Sequence, residues 1–271
     1  MKVSPELIEM EQSLRAALVS GDDLYPMIKE LFSDPDFTER SALLVLVSKL
    51  EGELLSSNPI ALSVWANEEI SKIGFSTNEG ILFRSTGRAG RSLIVDGADY
   101  YFSDDIEVQS YPCVDQTQKF EFAEDCFYTG NKLSSTFPYL LLAAEMCGLM
   151  KAAILMTTEY AKTRVQFGVP IGSFQAVSHP LADSHVKTEG LSSLTQFSAW
   201  AFDNSPSQAD LTALSAWKFA ETHGSVTVER AIQLHGGVGF THEYPLHKYL
   251  RRAKVLEVLG GDQSDILLES I

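Results

Sequence analysis

The amino-acid sequence predicts a mainly helical protein in three parts, and three features along the chain support that prediction. Apolar residues recur at helical spacing over residues 5 to about 75, and again from about 131 onward. Between these stretches lie short runs of β-branched and aromatic residues separated by glycines. We therefore expect an N-terminal helical region over residues 1–77, a small β region over 78–130 and a C-terminal antiparallel four-helix bundle over 131–271.

The N-terminal region should contain several short helices. Two sets of apolar residues each fall on one helical face: Leu7, Met10, Leu14 and Leu18, then Ala42, Val45, Leu46 and Leu50. Turn-forming residues at 21–23 and 33–36 separate the helices. In the β region, the strand-like runs are Ile-Leu-Phe at 81–83, Leu-Ile-Val at 93–95, Tyr-Tyr-Phe at 100–102 and Lys-Phe-Glu-Phe at 119–122.

The C-terminal region should form three long helices, over about 136–164, 174–202 and 208–234. An Asn-Ser-Pro break at 204–206 separates the second from the third, with Ser205 or Ser207 as the N-cap. A last short helix should begin at Pro245 and end at the Gly-Gly pair 260–261. Gly190, inside the second helix, predicts a close helix crossing or a local break.

Composition limits the classes of partner. The chain has 21 Lys plus Arg against 36 Asp plus Glu, a net charge of −15, which disfavours nucleic acid and anionic membranes. No stretch of about 18 uninterrupted apolar residues occurs, and the N-terminus lacks the order of a signal peptide, so we expect a soluble, cytoplasmic protein. Cys113, Cys126 and Cys147 stand in no metal-binding spacing, which predicts free thiols and no metal site.

Two segments look less generic. The first reads Arg-Val-Gln-Phe-Gly-Val-Pro-Ile-Gly-Ser-Phe-Gln over 164–175, and it places an Arg and two Gln amides around a Gly/Pro-rich turn. Such donors suit a diphosphate and a base or ribose. The second reads Ile-Gln-Leu-His-Gly-Gly-Val-Gly-Phe-Thr over 232–241, where a Gly-Gly pair lets backbone N–H groups approach a ligand. Taken singly, each segment is also typical of an ordinary helix end.

Together, in this order and at this separation, the two segments resemble the C-terminal helical domain of the acyl-CoA dehydrogenase family, from about residue 148 to 261. The resemblance implies a flavoprotein with an N-terminal helical domain, a middle β domain and a C-terminal four-helix domain. Such enzymes oxidise an acyl-CoA thioester to its trans-2-enoyl form and pass electrons to an electron-transfer flavoprotein or a similar acceptor. Neighbouring subunits share one FAD.

The resemblance also implies roles for individual residues. Arg164 would contact the diphosphate of an FAD held mainly by an adjacent chain. The ribityl and adenine side would be lined by Gln166, Phe167, Ile171 and Gln175, and further diphosphate and adenosine contacts would come from Gln233, Gly236 and Gly237. For Phe167 and Ile171 the alternative is that they are simply core residues at a helix interface.

The sequence departs from the family where the catalytic base should be. In most members that Glu lies where this chain has Gly260. In others it lies where this chain has Pro138, and a substrate-contacting Arg lies where this chain has Tyr139. Abstraction of the α-proton requires a carboxylate within hydrogen-bond reach, so we assign no catalytic residue here. The remaining carboxylates near these positions are Glu145, Glu257 and Asp262. The flavin-gripping segment of the family's β domain has no match either, and the N-terminal and β regions are both shortened.

These features predict a non-catalytic or accessory subunit of a heteromeric FAD-dependent acyl-CoA dehydrogenase, of the kind known from bacterial steroid side-chain degradation. The partner would be a full-length acyl-CoA dehydrogenase subunit that supplies the catalytic Glu within a heterotetramer. Two alternatives stay open. The chain is a self-sufficient homomeric enzyme with a relocated base, or it is a flavin-free scaffold or regulatory protein that retains only the bundle interface.

Overall fold

The computed structural model describes residues 4–35, 37–104, 106–124 and 132–269, so Cys126 and the predicted boundary at 130–131 lie outside the described residues. The N-terminal region contains the short helices α1 (Pro5–Ser20), α2 (Tyr25–Ser33), α3 (Arg40–Leu54) and α4 (Ile60–Trp65). Helix α1 begins after Ser4, whose side chain accepts a hydrogen bond from the Leu7 N–H. It ends at Gly21, which has the positive φ of +81° that favours glycine.

The β region folds into one seven-stranded sheet with the spatial order β5-β6-β2-β1-β3-β4-β7. Its strands are β1 (Ile70–Thr77), β2 (Gly80–Ser85), β3 (Arg91–Asp96), β4 (Asp99–Ser103), β5 (Gln109–Ser110), β6 (Phe120–Ala123) and β7 (Leu133–Ser134). Strand β1 pairs in parallel with β3 and antiparallel with β2. The four predicted strand-like runs coincide with β2, β3, β4 and β6.

The predicted limits of the β region are wrong at both ends. The central strand β1 lies inside the stretch that we expected to be helical, and β7 lies beyond residue 130. Strand β1 reads Ile-Ser-Lys-Ile-Gly-Phe-Ser-Thr, a polar-rich sequence with a glycine that gives little local strand signal. Its strand conformation comes from pairing with β2 and β3 on either side.

The C-terminal region forms the long helices α5 (Phe137–Thr163), α6 (Gln175–Asn204) and α7 (Pro206–His235), followed by α8 (Leu246–Gly260) and α9 (Ser264–Glu269). A short antiparallel hairpin of two-residue strands, β8 (Val165–Gln166) and β9 (Val169–Pro170), lies between α5 and α6. The three long helices agree with the prediction. Ser205 occupies the N-cap position of α7 without a side-chain capping bond, Pro245 precedes α8 rather than opening it, and α9 was not predicted.

Helix α5 is the centre of the core and packs against α3, α6 and α7. By length and composition it could cross a membrane, but 83% of its most apolar window is buried inside the protein, as in the core helix of a globular fold. Its contact with α3 is a backbone-to-backbone approach, because a Cβ on Gly52 or Gly148 would overlap a carbonyl of the facing helix. Neither alternative predicted at Gly190 occurs. Helix α6 is continuous there, which excludes a local break, and a Cβ would meet Phe219 at an ordinary 3.5 Å, which excludes a close crossing.

Candidate cofactor-binding site

The first motif forms a tight structure at the C-terminus of α5. Arg164 leaves the helix in an extended conformation, and its backbone N–H donates to the Tyr160 carbonyl at 2.9 Å. The chain then turns back through Phe167 and Gly168, whose φ angles are +53° and +82°. The Ile171 N–H closes the loop by donating to the Arg164 carbonyl at 2.8 Å. Two backbone hydrogen bonds therefore hold the main chain of Arg164 in place, while its side chain extends from this turn.

Phe167 has the most unusual environment in this motif. A φ of +53° is costly for a residue with a bulky side chain, and its ring is 93% exposed. Its described ring contact is an edge-on approach to Phe174 at 6.1 Å between centroids. Backbone strain together with an exposed large aromatic ring is typical of a contact with another molecule. The alternative that Phe167 is a core residue is therefore wrong, whereas Ile171 is half-buried.

The second motif lies at the C-terminus of α7. The helix ends at His235, and Gly236 reverses the chain with a φ of +65° into a 3-10 turn over Gly236–Phe240. A Cβ placed on Gly236 or Gly237 would meet no atom within 4 Å, so the backbone here faces open space. Gln233 is exposed one turn earlier. The two glycines thus leave their N–H groups accessible to a ligand.

An aromatic cluster brings the two motifs to the same end of the bundle. The Tyr160 ring stacks on His235 at 4.4 Å with an interplanar angle of 16°, and Tyr244 packs edge-on against both. Because a carbonyl oxygen can only accept, His235 Nδ1 carries the proton and donates to the Ala231 carbonyl at 2.8 Å. Burial lowers the pKa of His235. None of these three aromatic residues is among the sequence-predicted site residues, although Tyr160 lies one helical turn before Arg164.

Nearly all the sequence-predicted site residues are exposed. The exposed ones are Arg164, Gln166, Phe167, Gln175, Gln233, Gly236 and Gly237. Ile171 is half-buried. Within the described ranges, the side chains of Arg164 and of the three glutamines make no hydrogen bond or ion pair. Gln175 also opens the 30-residue helix α6, whose first turn has no side-chain cap. Partner-free donors beside an uncapped helix N-terminus and an open Gly-Gly turn fit an anionic cofactor such as the diphosphate of FAD.

The first of the two base positions is closed by packing. A Cβ on Gly260 would overlap the six-membered ring of Trp217, which is fully buried. The Trp217 indole N–H donates to the Gly261 carbonyl at 2.9 Å, which fixes the ring there. No side chain can therefore stand at position 260 without moving Trp217. At the second position, Pro138 is buried in the first turn of α5 and has no proton-accepting side chain. The neighbouring Tyr139, at the position of the Arg, is buried, donates its hydroxyl to the Gly97 carbonyl at 2.9 Å, and has its pKa raised by that burial.

Glu145 belongs to a buried ionic cluster. Its carboxylate accepts two hydrogen bonds from Arg84, at 2.9 and 3.0 Å, and one from Arg252 at 2.7 Å. Arg252 also pairs with Asp115, and all four side chains are at most 2% exposed. Burial by itself would raise the pKa of Glu145, but the two guanidinium groups lower it. Glu145 is thus a buried carboxylate held by three hydrogen bonds inside the core rather than one that faces an open site.

The other carboxylates are equally poorly suited. Asp262 is exposed, and hydrogen bonds from Ser264 and Lys218 lower its pKa to about 2. Glu257 pairs with Lys254 at 3.4 Å on the surface of α8. Sequence reasoning missed Glu51, a fully buried carboxylate on α3 that accepts the Ile60 and Ala61 N–H groups at the start of α4. Burial, together with the charge of Glu145, raises the pKa of Glu51 to about 8.

Comparisons with known proteins match the C-terminal part of the chain to this family. The model of the acyl-CoA dehydrogenase C-terminal domain matches residues 140–271. The acyl-CoA dehydrogenase FadE27 of Mycobacterium tuberculosis is 37% identical over 46% of this chain and 36% of its own length. The match thus spans little more than a third of that relative.

Solved structures show the fold over nearly the whole chain. The ChsE4-ChsE5 complex from Mycobacterium tuberculosis contains a chain that matches with a TM-score of 0.66 and 20% identity, over 94% of this chain and 85% of that one. A variant of the Tcur3481-Tcur3483 steroid ACAD matches with a TM-score of 0.70 and 16% identity, over 98% and 97%. Residues 140–271 thus match the acyl-CoA dehydrogenase C-terminal domain, and the chain as a whole shares the fold of these solved structures.

Proposed function

We propose that this chain is an accessory subunit of a heteromeric FAD-dependent acyl-CoA dehydrogenase. In this role it contributes half of a shared FAD site, while a full-length partner subunit supplies the catalytic Glu. The single observation that carries the proposal is the contrast between the two halves of the chemistry. The residues suited to FAD are exposed and partner-free, whereas the position for the base at Gly260 is filled by the Trp217 ring.

Bound FAD would accept a hydride from the β-carbon of the substrate. Toward that group, Arg164 would donate charge-assisted hydrogen bonds to the diphosphate, with Gln233 and the N–H groups of Gly236 and Gly237 beside it. Phe167, held outward by its turn, would cover one side of the adenosine portion and exclude water from it. Gln166, Ile171 and Gln175 would complete this wall. The Tyr160–His235 stack would keep the two motifs at a fixed separation.

The relocated-base alternative has little support, because Glu145 is an ionised part of the core cluster and Asp262 is a weak base with a pKa of about 2. A partner subunit would also cover the open site, since the hydrogen-bond donors of the two motifs are exposed. The heterotetrameric assembly, an acyl-CoA substrate of the steroid side-chain type, an electron-transfer flavoprotein or similar acceptor, and a cytoplasmic location belong to the same proposal. They draw on the ChsE4-ChsE5 complex and the Tcur3481-Tcur3483 steroid ACAD as relatives in fold.

Co-expression with a full-length acyl-CoA dehydrogenase subunit from the same organism tests the proposal. We expect the chain alone to purify with little flavin and the complex to contain one FAD per pair of unlike subunits. Arg164→Ala should reduce the flavin content of the complex, because a charged hydrogen-bond partner contributes about 1.5–3 kcal/mol. The matched control is Lys162→Ala, which removes a positive charge at the same helix end outside the motif.

Three results would contradict the proposal. One FAD per chain in the protein purified alone would favour the homomeric enzyme. A stable complex without flavin would favour the scaffold. Equal flavin content in the Arg164→Ala and Lys162→Ala complexes would mean that Arg164 takes no part in binding FAD.

A further inference from the structure

A second concave site lies away from the flavin-side motifs, along α3 between α1 and α6. Its volume of about 420 Å³ falls within the range of roughly 300–1,000 Å³ that is usual for small-molecule sites. Apolar side chains form most of its wall: Leu7, Ala42, Val45, Leu46, Ala199 and Trp200. The site is therefore large enough for a small molecule and mostly apolar, and the proposed flavin chemistry makes no use of it.

The two ends of this α3 groove carry opposite charges. Glu39 precedes the first turn of α3, and Lys49 lies on the same face nearly three turns later, about 15 Å along the helix axis. Glu39 accepts a hydrogen bond from the Ser4 hydroxyl at 2.5 Å. The other lining carboxylate, Glu11, is neutralised by Arg15 at 3.0 Å. An elongated ligand in the groove would thus meet a negative charge at one end and a positive charge at the other.

Lys49 is the polar group that points to a ligand. It is half-buried on the groove wall, and its ammonium donates to the Ser192 hydroxyl at 2.8 Å. Among the described residues, no carboxylate lies within 4.0 Å of the Lys49 nitrogen. A partly desolvated cation gains from an anion that completes its hydrogen bonds. The compact ammonium, unlike a guanidinium fork, suits a single carboxylate headgroup.

We propose that the α3 groove binds an elongated aliphatic carboxylate. Its headgroup would take the Lys49–Ser192 end, and its chain would lie over Ala42 and Leu46 toward the Glu39 end. The negative charge of Glu39 sets this direction, because it would repel a headgroup placed there. The site shares no residue with the flavin-side motifs, so its test and the test of the accessory-subunit proposal can fail independently.

Calorimetric titration of the full chain with decanoate and with decanol tests the proposal. We expect saturable binding of decanoate at one site and weaker binding of decanol. Lys49→Met keeps an apolar side chain of similar length and should weaken decanoate binding about tenfold or more while leaving decanol unchanged. Lys132→Met, which removes an exposed lysine far from the groove, is the matched control and should change neither affinity.

A blocking variant provides an independent readout. Ala42→Trp should abolish binding of both compounds, because the indole would occupy the middle of the groove, with far-ultraviolet circular dichroism confirming the fold. If Lys49→Met does not fold, Ser192→Ala serves instead and should weaken decanoate binding selectively. Absence of saturable decanoate binding to the wild type would overturn the proposal. Equal decanoate affinity in the wild type and the Lys49 variant would also overturn it.

Discussion

Replacing Glu145 by Gln should strongly lower the unfolding free energy of this protein, although we assign Glu145 no catalytic role. The change removes one negative charge from a buried cluster of two guanidinium groups and two carboxylates, Arg84, Arg252, Glu145 and Asp115. The cluster then carries a net positive charge inside the core. The new amide group would also point a donor at a guanidinium that has only donors to offer.

The expected loss is large because none of the four side chains is more than 2% exposed, so water cannot compensate. Breaking a buried ion pair by removing one partner typically costs about 3–5 kcal/mol of unfolding free energy. The sign of the pH dependence follows from the lowered pKa of Glu145. Its contribution is fully present above the unfolded value of 4.5 and is lost as the pH falls through the folded pKa. The difference in unfolding free energy between the wild type and the Glu145→Gln variant should therefore decrease as the pH falls through the folded pKa.

Urea unfolding followed by circular dichroism measures this effect. Glu159→Gln is the matched control on the same helix, since that carboxylate is 70% exposed and pairs with Lys162 at the surface. It should change the unfolding free energy by less than about 0.5 kcal/mol. A Glu145→Gln loss below about 1 kcal/mol would refute the reasoning. The reasoning would also be refuted if the Glu145→Gln complex kept its stability but lost turnover by a factor of about 10² or more, as expected for a general base.

Three further predictions concern single positions. The contribution of Glu51 to the unfolding free energy should fall as the pH rises from 4.5 to about 8, because folded Glu51 holds a proton that the unfolded chain has released. In urea titrations, Glu51→Gln should reduce this dependence of the unfolding free energy on pH. An unchanged pH dependence would contradict the prediction. Gly260→Ala should cost about 1–3 kcal/mol, measured by thermal unfolding, with partial rescue by Trp217→Phe; a neutral Gly260→Ala would mean that the indole moves freely. Phe167→Gly should leave the unfolding free energy within about 0.5 kcal/mol but lower the flavin content of the partnered complex; full flavin retention would show that the ring is dispensable.

Much of the fold was predictable from local signals. The 3.6-residue apolar period predicted α5, α6 and α7. Helices α6 and α7 each bury one face, whereas α5 is buried on nearly all sides over its first four turns. The Gly-Gly pairs predicted the ends of α7 and α8 because glycine adopts a positive φ at little cost. Strand β1 escaped the same reasoning. Burial does not alternate along β1, its polar residues and glycine weaken the local strand signal, and its conformation is determined by the two strands that flank it.

The sequence by itself determined the family-like motifs and the absence of a Glu at both base positions. Only the tertiary structure decided what those residues do. It placed the Trp217 ring over Gly260 and joined Glu145 to Arg84 and Arg252 across elements far apart in the chain. It also turned Phe167 outward at a positive φ. The physical reason is that burial, pairing and exposure depend on which segments meet, and no local pattern of residues specifies such long-range contacts.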